Sequence, residues 1–292
     1  MFNLLFLRGE QTTMSSVRRF AFLAVLASLL AVPALASHGW GNYHWQRTTT
    51  QVPLALGDNV DSRWDSHLNV AISDWNSSSV LDLSKIAGST SVKRCNPDTG
   101  EIEVCNARYG RTGWLGVAGI WASGDHITKA YTKLNDTYFD TATYNTPEWR
   151  AMVTCQEIGH DFGLDHQDEN FNNANLGTCM DYTNDPSTNQ HPNAHDYTQL
   201  EVQYGHLDAA ALPFDGLSAA MRRAPTMDEI LADAGQWGTP VRFDGKGRPS
   251  LFILEIGSNH EGAPERVITH VLWAPIEVEW ERGGQIDDPI EP

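Results

Sequence analysis

The segment Gln156-Glu157-Ile158-Gly159-His160-Asp161-Phe162-Gly163-Leu164-Asp165-His166 gathers the groups of this chain best suited to chemistry. Side chains four apart stand one above the other on a helix, so Gln156 and His160 aim at a common point. Gly163 permits a sharp turn, which brings His166 back to that point from beyond the helix. An amide oxygen and two imidazole nitrogens are neutral ligands for a divalent cation, and three protein ligands leave open the fourth position that a catalytic ion needs. Glu157 lies beside Gln156, near enough to take a proton from ion-bound water without ligating the ion itself. The expected metal ligands are Gln156, His160 and His166, and the expected base is Glu157. Downstream, Cys179-Met180-Asp181-Tyr182 reads as a tight turn with polar flanks.

These residues resemble the metzincin clan of zinc endopeptidases, whose signature H-E-x-x-H-x-x-G-x-x-H is followed by a turn bearing a methionine. Glu157, His160, Gly163 and His166 stand at the matching intervals, and Met180 matches the Met-turn methionine. Tyr182 matches the tyrosine that astacin-like and serralysin-like members place near the metal. The likeness covers residues 40–207, where the run of strands and helices is similar to matrixin-type catalytic domains. It implies an α+β fold, with a mixed twisted sheet, an active-site helix and a Met-turn. It also implies one catalytic Zn2+, with Glu157 as general base and Tyr182 donating to the developing oxyanion. An extended peptide would add a strand against the edge formed by residues 114–121.

The first signature position departs from the family, because Gln156 stands where it has histidine. An amide oxygen is a weaker zinc donor than imidazole. Two functions therefore stand side by side: a secreted zinc-dependent endopeptidase, and a catalytically inactive, protease-like secreted binding protein. His191, His195 and His206 are the histidines that could supply a missing nitrogen. The acid- and asparagine-rich run 165–175 offers oxygen ligands for Ca2+, with a solvated loop as the plainer reading.

Composition bounds the partners. The 292 residues are 41% hydrophobic and 20% charged, which is globular rather than disordered, and the formal charge is −17. Such an acidic balance argues against nucleic acid and anionic membrane surfaces, both of which select clustered basic charge. Extracellular proteins or peptides are the expected substrates of a chain expected to be monomeric. Val17-Arg18-Arg19, the apolar run 20–32 and Ala34-Leu35-Ala36 form a Sec-type leader with cleavage after Ala36. That apolar run is shorter than the roughly 20 residues a membrane span requires. The expected division is a signal peptide over 1–36, a metalloprotease-like domain over 37–208, and a small C-terminal α/β module over 209–292. The four cysteines favour two disulfides in an exported chain. Cys95 and Cys105 flank the turn Asn96-Pro97-Asp98-Thr99-Gly100, leaving Cys155 to pair with Cys179. No C-x₂-C spacing supports zinc ligation by cysteine instead.

The elements that must position the site are partly legible. Thr146-Pro147 starts a helix, with Pro at its first position and Glu148 near the positive dipole end. It should run through His160 and stop near Gly163. Asp61 is expected to cap a helix with Trp64, Leu68, Ala71 and Trp75 on one face, and Asp196 to cap another ending at Gly205. Strands are expected over 51–56, 80–83, 114–121 and 127–134, and in the tail over 250–256 and 267–273. Thr226-Met227-Asp228-Glu229 reads as a capping box for a short tail helix. Trp237, Trp273 and Trp280 read as core aromatics of the tail rather than a docking surface.

Overall fold

The computed structural model describes residues 37–209, 237–278 and 280. The leader over 1–36 and the tail helix opening at Thr226 lie outside the described residues. Strands with both faces buried make the centre of the molecule. β5 (Trp114–Ser123) is buried at nine of its ten positions, and β6 (His126–Asn135) is covered almost as fully. They form a hairpin, paired antiparallel from Gly116↔Leu134 to Ser123↔His126. Beyond β6 lie β4 (Glu101–Ala107), β2 (Val52–Asn59) and β3 (Leu81–Ala87), all parallel to one another. The short β1 (His44–Trp45) pairs parallel with the start of β6.

On the other side of β5 the sheet continues antiparallel through β9 (Pro264–Trp273), β8 (Pro249–Ser258) and β7 (Thr239–Phe243). The result is a nine-stranded mixed sheet in the order β3-β2-β4-β6-β5-β9-β8-β7, with β1 against β6. The strands of the tail, expected as part of a module over 209–292, extend the sheet from β5. The cause is the apolar run of β9, which is buried on both faces and needs a neighbour on each side.

Helices pack on one sheet face. α1 (Asp65–Trp75) buries Leu68, Ala71, Ile72 and Trp75, the apolar stripe expected from the sequence. Asp61 does not cap it. The Asp61 carboxylate instead accepts from the Arg63 backbone N–H at 2.9 Å and pairs with its guanidinium, and the helix begins without a side-chain cap. After the short α2 (Asp136–Phe139), α3 (Pro147–Asp161) opens on Thr146, whose Oγ1 accepts from the Trp149 N–H at 3.3 Å. α4 (Ala194–Gln203) is capped by Asn193, with Asp196 as the reciprocal third residue of the box rather than as the cap. Trp75 Nε1 donates to the Cys155 carbonyl at 3.1 Å and so fastens α1 to α3. Leu68, Trp75, Ile158, Phe162, Met180 and Ile120 share the core between helices and sheet. Val117, Trp121, Trp237, Phe252 and Val271 form a second core on the opposite face.

Both disulfides join the expected partners, Cys95–Cys105 and Cys155–Cys179. Two disulfides fit an oxidising, extracellular setting. Among the described residues no helix is long and apolar enough to cross a membrane.

Candidate metal centre

α3 carries Gln156, Glu157 and His160, each with no exposed surface. The helix ends at Asp161, and Gly163 takes φ +84°, a left-handed turn that a side chain would resist. This turn returns His166 to the helix, and its ring centroid lies 4.6 Å from that of His160. Hydrogen bonds fix which nitrogen each ring presents. His160 Nδ1 donates to the Leu164 carbonyl at 2.8 Å, and His166 Nδ1 donates to Glu169 Oε1 at 3.1 Å. Each Nε2 is thereby turned toward the other ring's side of the site, and both are buried without a hydrogen-bond partner.

A third imidazole comes from the far end of the chain. The His270 centroid lies 4.0 Å from that of His160 and 4.5 Å from that of His166. Ligand atoms of His160, His166 and His270 all fall within 4.8 Å of one another, a group that could hold a metal ion. Strand alternation puts His270 on the helix-facing side of β9, with Ile268 and Leu272. Its one sequence signal is a polar residue on an otherwise apolar, inward face. The histidines expected to serve as substitutes are elsewhere. His191 Nδ1 meets Asp74 Oδ2 at 2.6 Å on the surface, His195 packs on His38, and His206 belongs to a second cluster.

The other expected site residues surround these rings. Gln156 Nε2 donates to the Cys179 carbonyl at 2.7 Å, and its buried Oε1 has no partner. The Cys155–Cys179 bridge holds that carbonyl and Met180 under the helix. Gly159 makes room there, since a Cβ in its place would lie 2.7 Å from Met180 Sδ. Tyr182 OH is 2.9 Å from His270 Nε2, and Glu157 Oε2 is 3.4 Å from His270 Nδ1. His270 thus spans the two residues expected to be catalytic. Trp40, stacked on His160 at 4.9 Å, covers the cluster from the N-terminal side.

Burial sets the protonation. Desolvation, aided by the charge of Asp161, pushes the Glu157 carboxyl well above the usual carboxylate range. Desolvation first, and then their histidine neighbours, hold His160 and His270 well below the ordinary imidazole value. Both rings are therefore neutral and able to donate lone pairs to a cation.

One expectation is altered. The edge of residues 114–121 is not free, because β9 pairs with β5 from Trp114↔Trp273 to Ser123↔Glu265. An extended peptide cannot add a strand there while β9 is in place. In the run read as a Ca2+ site, Asp165, His166 and Glu169 form a further group that could hold a metal ion, with the Arg242 guanidinium paired to Asp165 and 3.6 Å from Glu169.

No protein-family profile matches the chain, and no curated protein matches it. Among solved structures the chain is similar to myroilysin at 11% identity and a TM-score of 0.30, over 60% of this chain and 97% of that one.

Proposed function

We propose that this chain is a secreted, zinc-type metal-dependent hydrolase of peptide bonds, with His160, His166 and His270 as the ligands of its ion. The observation that carries the reading is the pair of buried, unpartnered Nε2 atoms facing a third imidazole. An unsatisfied polar atom in a dry interior costs about 1–3 kcal/mol, which an ion shared by the three rings removes. Imidazole is the stronger donor for zinc, so His270 takes the ligand role that the sequence alone assigns to Gln156.

When bound, such an ion polarises a carbonyl and lowers the pKa of its water toward 7. Glu157 accepts the proton of the attacking water and returns it to the leaving nitrogen. Burial raises its affinity for a proton, which suits it to receive one. Tyr182 keeps His270 in place through the 2.9 Å contact and offers a hydroxyl donor beside the reacting carbonyl. Extracellular proteins or peptides are the substrates of this reading.

A second reading rests on β9. Both nitrogens of His270 already have neighbours, and β9 occupies the edge beside β5. On that reading the chain is a protease-like binding protein with a closed centre. Metal analysis with peptide-cleavage assays separates the two. The enzyme reading expects chelator-sensitive cleavage that His270→Ala abolishes together with central ion binding. Cleavage that rises in His270→Ala, or a native protein inert with its ion in place, supports the closed form instead.

A further inference from the structure

Three histidines and one carboxylate converge a second time, away from Glu157 and Tyr182. His44 lies on β1 and His126 opens β6, and the two are direct register partners. His206 and Asp208 follow α4. Asp208 is held in place by Arg47, whose N–H donates to Oδ2 at 2.7 Å, while the Asp208 N–H donates to the Arg47 carbonyl at 2.8 Å. This leaves Oδ1 facing three imidazoles, with Nε2 atoms of His206, His126 and His44 at 3.1, 3.2 and 3.6 Å.

Hydrogen bonding leaves two of these nitrogens without a partner. His44 Nδ1 donates to the Asn42 carbonyl at 2.6 Å, which turns Nε2 toward the Asp208 carboxylate, 3.6 Å away. That nitrogen is buried without a hydrogen-bond partner, on a residue only 5% exposed, and it points toward a carboxylate. His126 Nε2 also lacks an aligned hydrogen bond despite its closeness to Oδ1. Two unpartnered imidazole nitrogens beside one carboxylate oxygen are a donor set that a cation among them would satisfy.

We infer that His44, His126, His206 and Asp208 form a second binding site for a zinc-type divalent ion, structural rather than catalytic. His44, His206 and Asp208 bring ligand atoms within 4.8 Å of one another, and His126 Nε2, 3.2 Å from Asp208, offers a fourth donor that would leave no position for a reacting water. The ion clamps β1, the start of β6 and the segment after α4. Half-exposed His126 and His206 give it an entry path from solvent.

The test loads the full protein with Zn2+ alone, removes the excess and counts bound metal by mass spectrometry. His126→Ala and His206→Ala, at exposed positions, should each lose one equivalent and keep the native circular dichroism and peptide cleavage. His166→Ala should keep this equivalent, which separates the surface site from the central one. In that variant, Zn2+ at a hundredfold excess over Kd should raise Tm by about 5–10 °C, and adding His206→Ala should cancel the rise. Unchanged metal counts in both His126→Ala and His206→Ala overturn the site. Loss of an equivalent from these two variants alone upholds it and sinks the central reading.

Discussion

The central and surface histidine clusters use the same nitrogen donor and differ in where the carboxylate stands. At the centre, Glu157 sits beside the three imidazoles, 3.4 Å from His270, and is not part of the group that could share an ion. At the surface, Asp208 faces all three rings directly and completes the donor set. Four protein ligands would fill every position of a tetrahedral ion, which suits holding rather than reacting, whereas three leave one open. Burial divides them in the same sense. His160, His166 and His270 are at most 7% exposed, whereas the His206 side chain is 54% exposed. The same residue type is thus sealed from solvent in one place and left partly open to it in the other.

The largest expected effect tests this division directly. Glu157→Gln should lower peptide cleavage by about 10²–10⁴-fold with metal content unchanged, because it removes the base and keeps the shape. His206→Ala should do the reverse, losing an ion while initial rates stay within about twofold. Equal losses of rate in the two variants would erase the distinction between a reacting and a holding cluster.

A smaller effect sharpens the central side. The Cys155–Cys179 bridge closes a separation of 24 residues and ties α3 to the turn carrying Met180. Replacing both cysteines with alanine should cost roughly 3 kcal/mol in denaturant unfolding. The loosened turn also frees Gln156 from the Cys179 carbonyl. The central ion should then dissociate at a lower chelator concentration than the surface ion, whose ligands this bridge does not touch. A parallel weakening of both ions would argue that the clusters are not independent.

Sequence spacing made the helical half of the centre legible. Gln156, Glu157 and His160 follow from the helical period, and His166 from the glycine turn, because those relations are local. His270 was hidden, since 104 residues separate it from His166 and it meets the centre only through pairing of β9 with β5. The free edge expected at β5 failed for the same reason, as strand order is a tertiary property. β4 escaped notice because the turn between Cys95 and Cys105 dominates that stretch. Its alternation also includes Glu103, whose charge suggests solvent. Glu103 is in fact buried, accepting from the Ser89 hydroxyl at 2.6 Å and its N–H at 3.0 Å. The surface cluster draws on three separate segments, so no spacing could announce it.

The smallest effect concerns pH and separates metal-linked stability from ordinary acid unfolding. Arg63, first through its hydrogen bonds to the Asp61 carboxylate, lowers that group from 3.8 to about 2. A depressed carboxyl stabilises the folded state above its unfolded pKa, so this contribution is present above about pH 4 and is lost as pH falls toward 2. Both side chains are 45% exposed, which keeps the pair under about 1 kcal/mol. Metal-linked stability disappears in a higher window, because protons compete for imidazoles whose reference pKa is about 6.5. Thermal melts of zinc-loaded protein should therefore show one loss between about pH 6.5 and 4 and another below 4. Arg63→Ala should alter only the lower loss, and His206→Ala only the upper one. An upper loss that survives chelation of both ions would assign it to folding rather than to metal, and the contrast between the clusters would lose its thermodynamic support.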